Sequence, residues 1–209
     1  MNKVKLAKFL MNVLQNKPEY QENHFVKEIF KHPRYITLTH NEKESLNDRL
    51  VKLNIIEADS KPFDLFFPSH SFRKMLEGKR VLDLGCSIGG DTISLGESWN
   101  VKEFYGIDVR QESIMLANQY ISRHSTDVKY QFIHSYAENM PFENEYFDAI
   151  VSRDTIEHVR SVKETLSECK RILKKDGVAY LVFPSFKLPF GGAHIGSVTR
   201  TPFLAVSYT

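Results

Sequence analysis

The sequence is poor in the residues that mark disulfide-rich or metal-binding proteins. Its 209 residues include only two cysteines, Cys86 and Cys169, and their spacing matches no metal-ligand pattern. So few cysteines are typical of the reducing cytosol and argue against a small secreted fold held by disulfides. We therefore expect a cytoplasmic protein without a metal centre.

Long apolar runs and a strong charge of one sign are also missing. No stretch approaches the roughly 20 apolar residues that a membrane-spanning helix needs. Lys3 and Lys5 could imitate the start of a signal peptide, but Lys8 interrupts the apolar run and no small-residue cleavage site follows. The formal net charge of +2 indicates no strong electrostatic field. We expect neither a membrane nor a nucleic acid as partner.

The chain divides into two predicted parts, residues 1–77 and residues 78–209. The first part has apolar residues at helical spacing, interrupted by Pro18 and Pro33, and predicts a helical N-terminal extension. In the second part, strands alternate with helices. The expected strands are 80–84, 103–107, 129–133, 147–152 and 178–183, and the expected helices are 91–97, 111–124 and 162–173. This alternation predicts an α/β, doubly wound, mainly parallel sheet.

The last of these helices has the clearest boundary signals. Ser161 and Glu164 have the spacing of a capping box, in which each side chain accepts a hydrogen bond from the other residue's backbone. Gly177 follows the lysine-rich end of the segment, where a glycine commonly ends a helix. We expect the helix to begin after Ser161 and to end before Gly177.

The most informative stretch is Asp83 and the glycine-rich turn that follows it, with glycines at positions 85, 89 and 90. A strand, a glycine turn and a helix start together aim free backbone N–H groups at a bound ligand. Three chemistries can use this arrangement: hydrolysis by a serine nucleophile, dinucleotide binding, and binding of a nucleoside without phosphates.

A serine hydrolase is the first interpretation. Residues 85–89 match the nucleophile-elbow pattern G-x-S-x-G, with Ser87 as nucleophile and His158 or His194 as base. The elbow of that fold normally follows several earlier strands, whereas this turn follows the first clear strand. The sequence before the turn also has no HGGG-type oxyanion loop. Both observations disfavour a hydrolase.

Dinucleotide binding is the second interpretation. The three glycines partly satisfy G-x-G-x-x-G, and Asp108 lies at about the 20-residue distance of a ribose-binding acid. However, Ser87 replaces the middle glycine, which lets a pyrophosphate approach the backbone. Asp83 would also repel a pyrophosphate, at a cost on the order of several kcal/mol in a partly desolvated site.

A sulfonium nucleoside fits both acids better. Asp83, two positions before the first glycine, suits a ligand with an ammonium group, and such a charge-assisted hydrogen bond contributes about 1.5–3 kcal/mol. Asp108 closes the second predicted strand, where its two oxygens can accept both hydroxyls of a ribose. A ligand that combines an ammonium group, a ribose and a flat base without phosphates is S-adenosylmethionine.

Five sequence motifs, in order, resemble those of class I S-adenosylmethionine-dependent methyltransferases, small-molecule (type 11-like) subgroup. They are VLDLGCSIGG at 81–90, YGIDV at 105–109, AENMPF at 137–142, FDAIVS with IEHV between 147 and 159, and RILKKDG at 171–177. The resemblance covers residues from about 78 to 185. It implies a Rossmann-like fold, S-adenosylmethionine as donor, S-adenosylhomocysteine as product and a small-molecule acceptor.

The resemblance also implies which residues bind the donor. They are Asp83, Gly85, Ser87, Gly89, Asp108, Val109, Ala137, Glu138, Ser152 and Arg153. Asp83 and the turn would surround the methionine part, and Asp108 would bind the ribose. Val109 would lie against the adenine, with the Ala137 N–H at its edge. His158 and His194 are the candidate general bases toward the acceptor.

The sequence departs from the family pattern at several points. Ser87 stands where the family has glycine, and Tyr136 stands where it usually has an acid that contacts the adenine amino group. Only five of the usual seven strands are readable, so we expect the C-terminal hairpin to be missing. These departures keep open a second hypothesis, a non-catalytic cofactor-binding module. The helical extension would supply the cover over the acceptor, as it commonly does in the family.

Overall fold

The computed structural model of the protein describes residues 25–60 and 74–183. His40–Phe183 form one compact unit, which contains the sheet. Residues 25–39 belong to a second unit and form two short helices, α1 (Phe25–Lys31) and α2 (Pro33–Ile36). Proline suits the start of α2 because the first N–H of a helix has no partner within it. The predicted helix near the N-terminus lies outside the described residues.

The third helix, α3 (His40–Ser60), belongs to the same unit as the sheet. Leu46, Leu50 and Val51 are buried, as their helical spacing predicts. Leu53 has the same helical spacing but is 44% exposed, so the buried face of α3 does not include it. None of the helices in residues 25–60 and 74–183 is long and apolar enough to cross a membrane.

Five parallel strands form the sheet, in the order β3-β2-β1-β4-β5. They are β1 (Arg80–Leu84), β2 (Glu103–Asp108), β3 (Lys129–His134), β4 (Phe147–Arg153) and β5 (Leu173–Val182). The helices between them are α4 (Gly90–Trp99), α5 (Gln111–Arg123) and α6 (Val162–Ile172). The predicted α/β, doubly wound, parallel sheet is confirmed.

The centre of the sheet lies at β1, which pairs with β2 on one side and β4 on the other. Every residue of β2 is buried, as are four of the five residues of β1, because parallel strands are covered on both faces. The strand order reverses between β1 and β4. Open α/β sheets bind their ligands at the carboxyl ends of the strands beside such a reversal.

The bounds of α6 agree with the predicted 162–173 to within one residue, but Gly177 does not end the helix. Ser161 Oγ accepts a hydrogen bond from the Glu164 N–H at 3.3 Å, as the capping box requires. The helix, however, ends at Ile172 and not near Gly177, because Leu173 is already extended and pairs with Phe147 of β4. β5 therefore begins five residues earlier than predicted, with a register shift relative to β4 between Phe147 and Ala149.

Candidate functional site

The turn between β1 and α4 can only be formed with glycine at two positions. Gly85 and Gly89 have φ values of 85° and 86°, in the left-handed region. A Cβ on Gly85 would lie 2.1 Å from Thr155 Oγ1, and one on Gly89 would lie 2.8 Å from Phe132 Cζ. The Gly85 N–H donates to the Ile107 carbonyl at 2.9 Å, which ties the turn to β2.

Ser87 also adopts a left-handed conformation, with φ of 52°. This conformation costs an L-residue other than glycine about 1–2 kcal/mol, which explains why the resembling motif has glycine here. The Ser87 N–H donates to Asp108 Oδ2 at 2.9 Å. Within the described residues, no hydrogen bond joins the Ser87 hydroxyl to a histidine, as a serine nucleophile would require.

Asp83 lies at the centre of the site and is only 4% exposed. Its Oδ2 accepts a 2.6 Å hydrogen bond from Thr92 Oγ1, in the first turn of α4. Burial, and then the negative charge of Asp91, raise the pKa of Asp83 to about 7. A positive group beside this carboxyl would favour its ionised form.

Asp91 and Arg153 form an ion pair beside Asp83. Arg153 Nη2 lies 2.7 Å from Asp91 Oδ1 and 2.6 Å from Asp91 Oδ2. Burial raises the pKa of Asp91, and the Arg153 charge opposes that rise. Arg153 was predicted as a site residue and Asp91 was not. The position of Asp91, in the first turn of a helix that follows a glycine turn, could have indicated that it lies at the site. Ser152 is fully buried and donates to the Leu84 carbonyl at 2.8 Å, which joins β4 to β1.

Asp108, at the end of β2, has both carboxylate oxygens engaged. Oδ1 accepts from the Arg110 N–H at 2.8 Å and from Arg110 Nε at 3.0 Å. Oδ2 accepts from the Ser87 N–H at 2.9 Å and from Arg110 Nη2 at 3.0 Å. A ribose was predicted to bind these oxygens, and Arg110 was not predicted as their partner. Two of the four donors are backbone groups that orient the carboxylate, and the other two belong to the arginine side chain.

Exposed side chains lie just beyond the end of β2 and β3. Val109 is 50% exposed and Tyr136 is 42% exposed, both unusual for apolar or aromatic residues at strand ends. Arg160 stacks over the Tyr136 ring, with the guanidinium carbon 4.5 Å from the ring centroid. Ala137 lies in the tight turn formed by Tyr136 and Asn139, and its N–H makes no hydrogen bond to the residues that the structure describes.

Glu138 organises the loop before α6. Its Oε1 accepts hydrogen bonds from the Arg160 N–H at 2.6 Å and the Ser161 N–H at 3.2 Å. In a capping box the Glu164 side chain would bind that second N–H, so Glu138 replaces it from another segment. Glu138 was predicted among the donor-binding residues, and in the structure these two hydrogen bonds hold the loop that follows β4.

Of the two candidate bases, His158 lies within the described residues and His194 does not. His158 ends the 3₁₀ turn Ile156–His158 after β4, is half-buried, and has Nε2 3.9 Å from Glu157 Oε1. His194 lies outside the described residues. Within those residues, no group of three or more His, Cys, Asp or Glu side chains could hold a metal ion.

Comparisons with known proteins agree with this geometry. Residues 82–181 match the family described as "Methyltransferase domain". The ubiquinone biosynthesis O-methyltransferase of Dechloromonas aromatica is 33% identical over 108 residues, which are 51% of this chain and 44% of that protein. The sterol 24-C-methyltransferase of Schizosaccharomyces pombe is 31% identical over 101 residues, 48% of this chain and 26% of that protein.

A solved structure shows the same fold at lower identity. A protein from Methanococcus maripaludis, provisionally described as an S-adenosyl-L-methionine-dependent methyltransferase, has a TM-score of 0.51 at 22% identity. The alignment covers 64% of this chain and 62% of that one. The chain spans about half the length of the first curated relatives, from 40 to 56%. Residues 82–181 therefore resemble a methyltransferase domain in sequence, and the chain shares the fold of the Methanococcus maripaludis protein.

Proposed function

We propose that the protein transfers a methyl group from S-adenosylmethionine to a small-molecule acceptor. The observation that carries this proposal is the buried Asp83 carboxyl, held at a pKa of about 7 beside a glycine turn and across that turn from Asp108. A nucleoside with an ammonium group and a ribose matches these two acids, whereas Asp83 would repel a pyrophosphate.

The residues present fit such a donor. Asp83 would bind the ammonium group, and the turn that contains Gly85 and Gly89 would surround the methionine part. Asp108 would bind the ribose hydroxyls once the Arg110 guanidinium has moved aside. The exposed Val109 would face the adenine.

The adenine edge would be recognised differently from the family pattern. The Ala137 N–H has no partner among the described residues and would donate to a ring nitrogen of the base. Tyr136, in place of the usual acid, would offer its ring together with the stacked Arg160. Glu138 would act through the loop that it holds, and Ser152 through the contact between β4 and β1.

Methyl transfer places few demands on the protein's acid–base groups. The donor supplies a sulfonium-bound methyl group that is already a strong electrophile. The chain's own residues would mainly align donor and acceptor, which by itself lowers the barrier substantially. A hydroxyl or amine acceptor would also need a base. We propose His158 for that step, with Glu157 near enough to stabilise its protonated form, and keep His194 as the alternative.

The acceptor class follows from the relatives. Their names specify ubiquinone biosynthesis and sterol 24-C-methylation. We propose a small molecule that presents an oxygen, nitrogen or carbon nucleophile, with residues 1–77 as its cover and 78–209 as the donor-binding domain. We also propose a cytoplasmic location, which the two free, buried cysteines support.

Three measurements on the full chain test this function. Methyl-labelled S-adenosylmethionine is incubated with the protein and fractionated metabolite extract, and S-adenosylhomocysteine is tested in a thermal-shift assay. A fluorophosphonate probe tests Ser87 as a nucleophile. We expect a thermal shift, label in a small-molecule fraction and no fluorophosphonate adduct. A thermal shift without methyl transfer would indicate a non-catalytic binding module. An adduct on Ser87 without a thermal shift would indicate a hydrolase.

A further inference from the structure

The first turn of α4 is capped by a residue from a different helix. Gly89, the residue at the cap position, has no side chain to offer, and the helix has no side-chain cap of its own. Instead the Gly90 N–H donates to Asn54 Oδ1 of α3 at 2.9 Å. The first N–H groups of a helix have no partner within the helix, so Asn54 satisfies one of them.

The contact between Asn54 and the turn is close. A Cβ on Gly90 would lie 2.2 Å from Asn54 Oδ1 and 2.7 Å from the Asn54 carbonyl carbon. One turn further along α4, the Ser94 hydroxyl donates to Asp59 of α3. The same face of α4 is therefore joined to α3 at two successive turns, and glycine at position 90 is what permits the approach.

The groups that α4 brings to the site lie next to this cap. Thr92 Oγ1 donates to Asp83, and Asp91 holds Arg153. Both residues follow Gly90 directly, so a movement of the first turn of α4 displaces the hydrogen bond on Asp83 and the ion pair beside it. α3 lies outside residues 82–181, the segment that matches the methyltransferase domain.

We propose that Asn54 is a positioning residue for the donor site. It holds the start of α4 so that Thr92 and Asp91 keep their partners, and it thereby makes α3 part of the donor-binding machinery. This inference rests on the proposed function, because it concerns the same glycine turn. Asn54 itself does not need to touch the donor.

The test compares S-adenosylhomocysteine affinity by calorimetry with the free energy of unfolding in urea. Asn54→Ala removes the acceptor for Gly90, and Asn54→Asp keeps an acceptor oxygen in the same place. Asn47→Ala is the matched control, because Asn47 lies on the same helix but donates to Gln119 Oε1 of α5, at 3.3 Å. All three variants are measured at pH 8, where most of Asp83 is ionised.

We expect Asn54→Ala to weaken S-adenosylhomocysteine binding about fivefold, the equivalent of one hydrogen bond. Asn54→Asp should stay within about twofold of the unsubstituted chain, and Asn47→Ala should lower stability without changing affinity. Equal affinities for Asn54→Ala and Asn47→Ala would overturn the inference.

Asn54→Asp keeps the test decisive if the alanine variant does not fold, since a folded Asn54→Asp protein with fivefold weaker binding would also overturn it. Absence of binding by the unsubstituted chain would instead refute the proposed function, and this inference with it.

Discussion

The environment of Asp83 opposes its ionisation. An aspartate in water has a pKa of about 3.9, whereas burial and the Asp91 charge raise that of Asp83 to about 7 in the folded protein. Between these two pH values the folded state holds a proton that the unfolded chain has lost. Because of Asp83, the free energy of unfolding therefore falls as pH rises from about 4 to 7. Above pH 7, Asp83 causes no further change.

Binding of an ammonium group should reverse this trend. S-adenosylhomocysteine should bind more tightly as pH rises from 5 to 7, approaching tenfold per pH unit, and should level off above pH 7, because the ionised Asp83 is the form that binds it. Calorimetric titrations at several pH values check this. Asp83→Asn should bind weakly and without this pH dependence. A slope that persists in Asp83→Asn would assign the titration to another group.

Arg110 competes for the oxygens of Asp108 that the ribose needs. Arg110→Met should therefore tighten S-adenosylhomocysteine binding about two- to fivefold, since a partly exposed ion pair contributes up to about 1 kcal/mol. The backbone donors from Ser87 and Arg110 would still orient the carboxylate. Arg123→Met is the control, because Arg123 pairs with Glu44 away from the turn, at 3.3 Å. Weaker binding by Arg110→Met would mean that the arginine contacts the ligand.

The two acids could be predicted from the sequence, and the contact that comes from another helix could not. Asp83 and Asp108 stand at the ends of apolar runs, so the sequence itself places them at the carboxyl edge of the sheet. Arg110 lies only two residues from Asp108, and Asp91 stands in the first turn of a helix, but the contact of Asn54 with Gly90 depends on how two helices pack. No periodicity in the sequence encodes such a contact, and Asn54 lies 36 positions from its partner.

At the scale of elements, the strands were predicted to within a residue or so except for the start of β5. β1, β2 and β4 are mostly buried, and most of β3 alternates between exposed and buried residues, so the hydrophobic pattern marks all four strands. Lys174, Lys175 and Asp176 are exposed and charged, and they lie in the register shift between Leu173, which pairs with Phe147, and Val178, which pairs with Ala149. Lys174 Nζ also binds Asp148 Oδ1 at 2.8 Å. The start of β5 was missed because this charged segment, which has no register partner in β4, separates Leu173 from the apolar part of the strand.

The backbone conformation and close packing of the glycine turn predict how substitution of Gly85 changes the free energy of unfolding. Gly85→Ala should lower the free energy of unfolding by about 3 kcal/mol or more, from left-handed strain and from the clash with Thr155. Gly78→Ala is a matched control, because Gly78 has φ of 69° but no atom within 4 Å of the added Cβ. It should cost only about 1–2 kcal/mol. Equal losses in urea unfolding would show that Thr155 moves aside without cost.

At the scale of the whole molecule, the strand order brings the site together. β1 and β2 are neighbours, so Asp83 and Asp108 end at the same edge of the sheet, and the Ser87 N–H bridges the turn to Asp108. β4 supplies Arg153 from the other side of β1. The sequence could predict this arrangement because alternating strands and helices allow few topologies. The contribution of α3 depends on packing alone and was not predictable.

The most direct test of the account is a calorimetric titration of the chain and of Asp108→Ala with S-adenosylhomocysteine. We predict saturable one-to-one binding by the unsubstituted chain. Asp108→Ala should bind at least about tenfold more weakly, because the ribose loses two charge-assisted hydrogen bonds of about 1.5–3 kcal/mol each. Unchanged affinity in Asp108→Ala, or no binding by either protein, would contradict the placement of the donor at this turn.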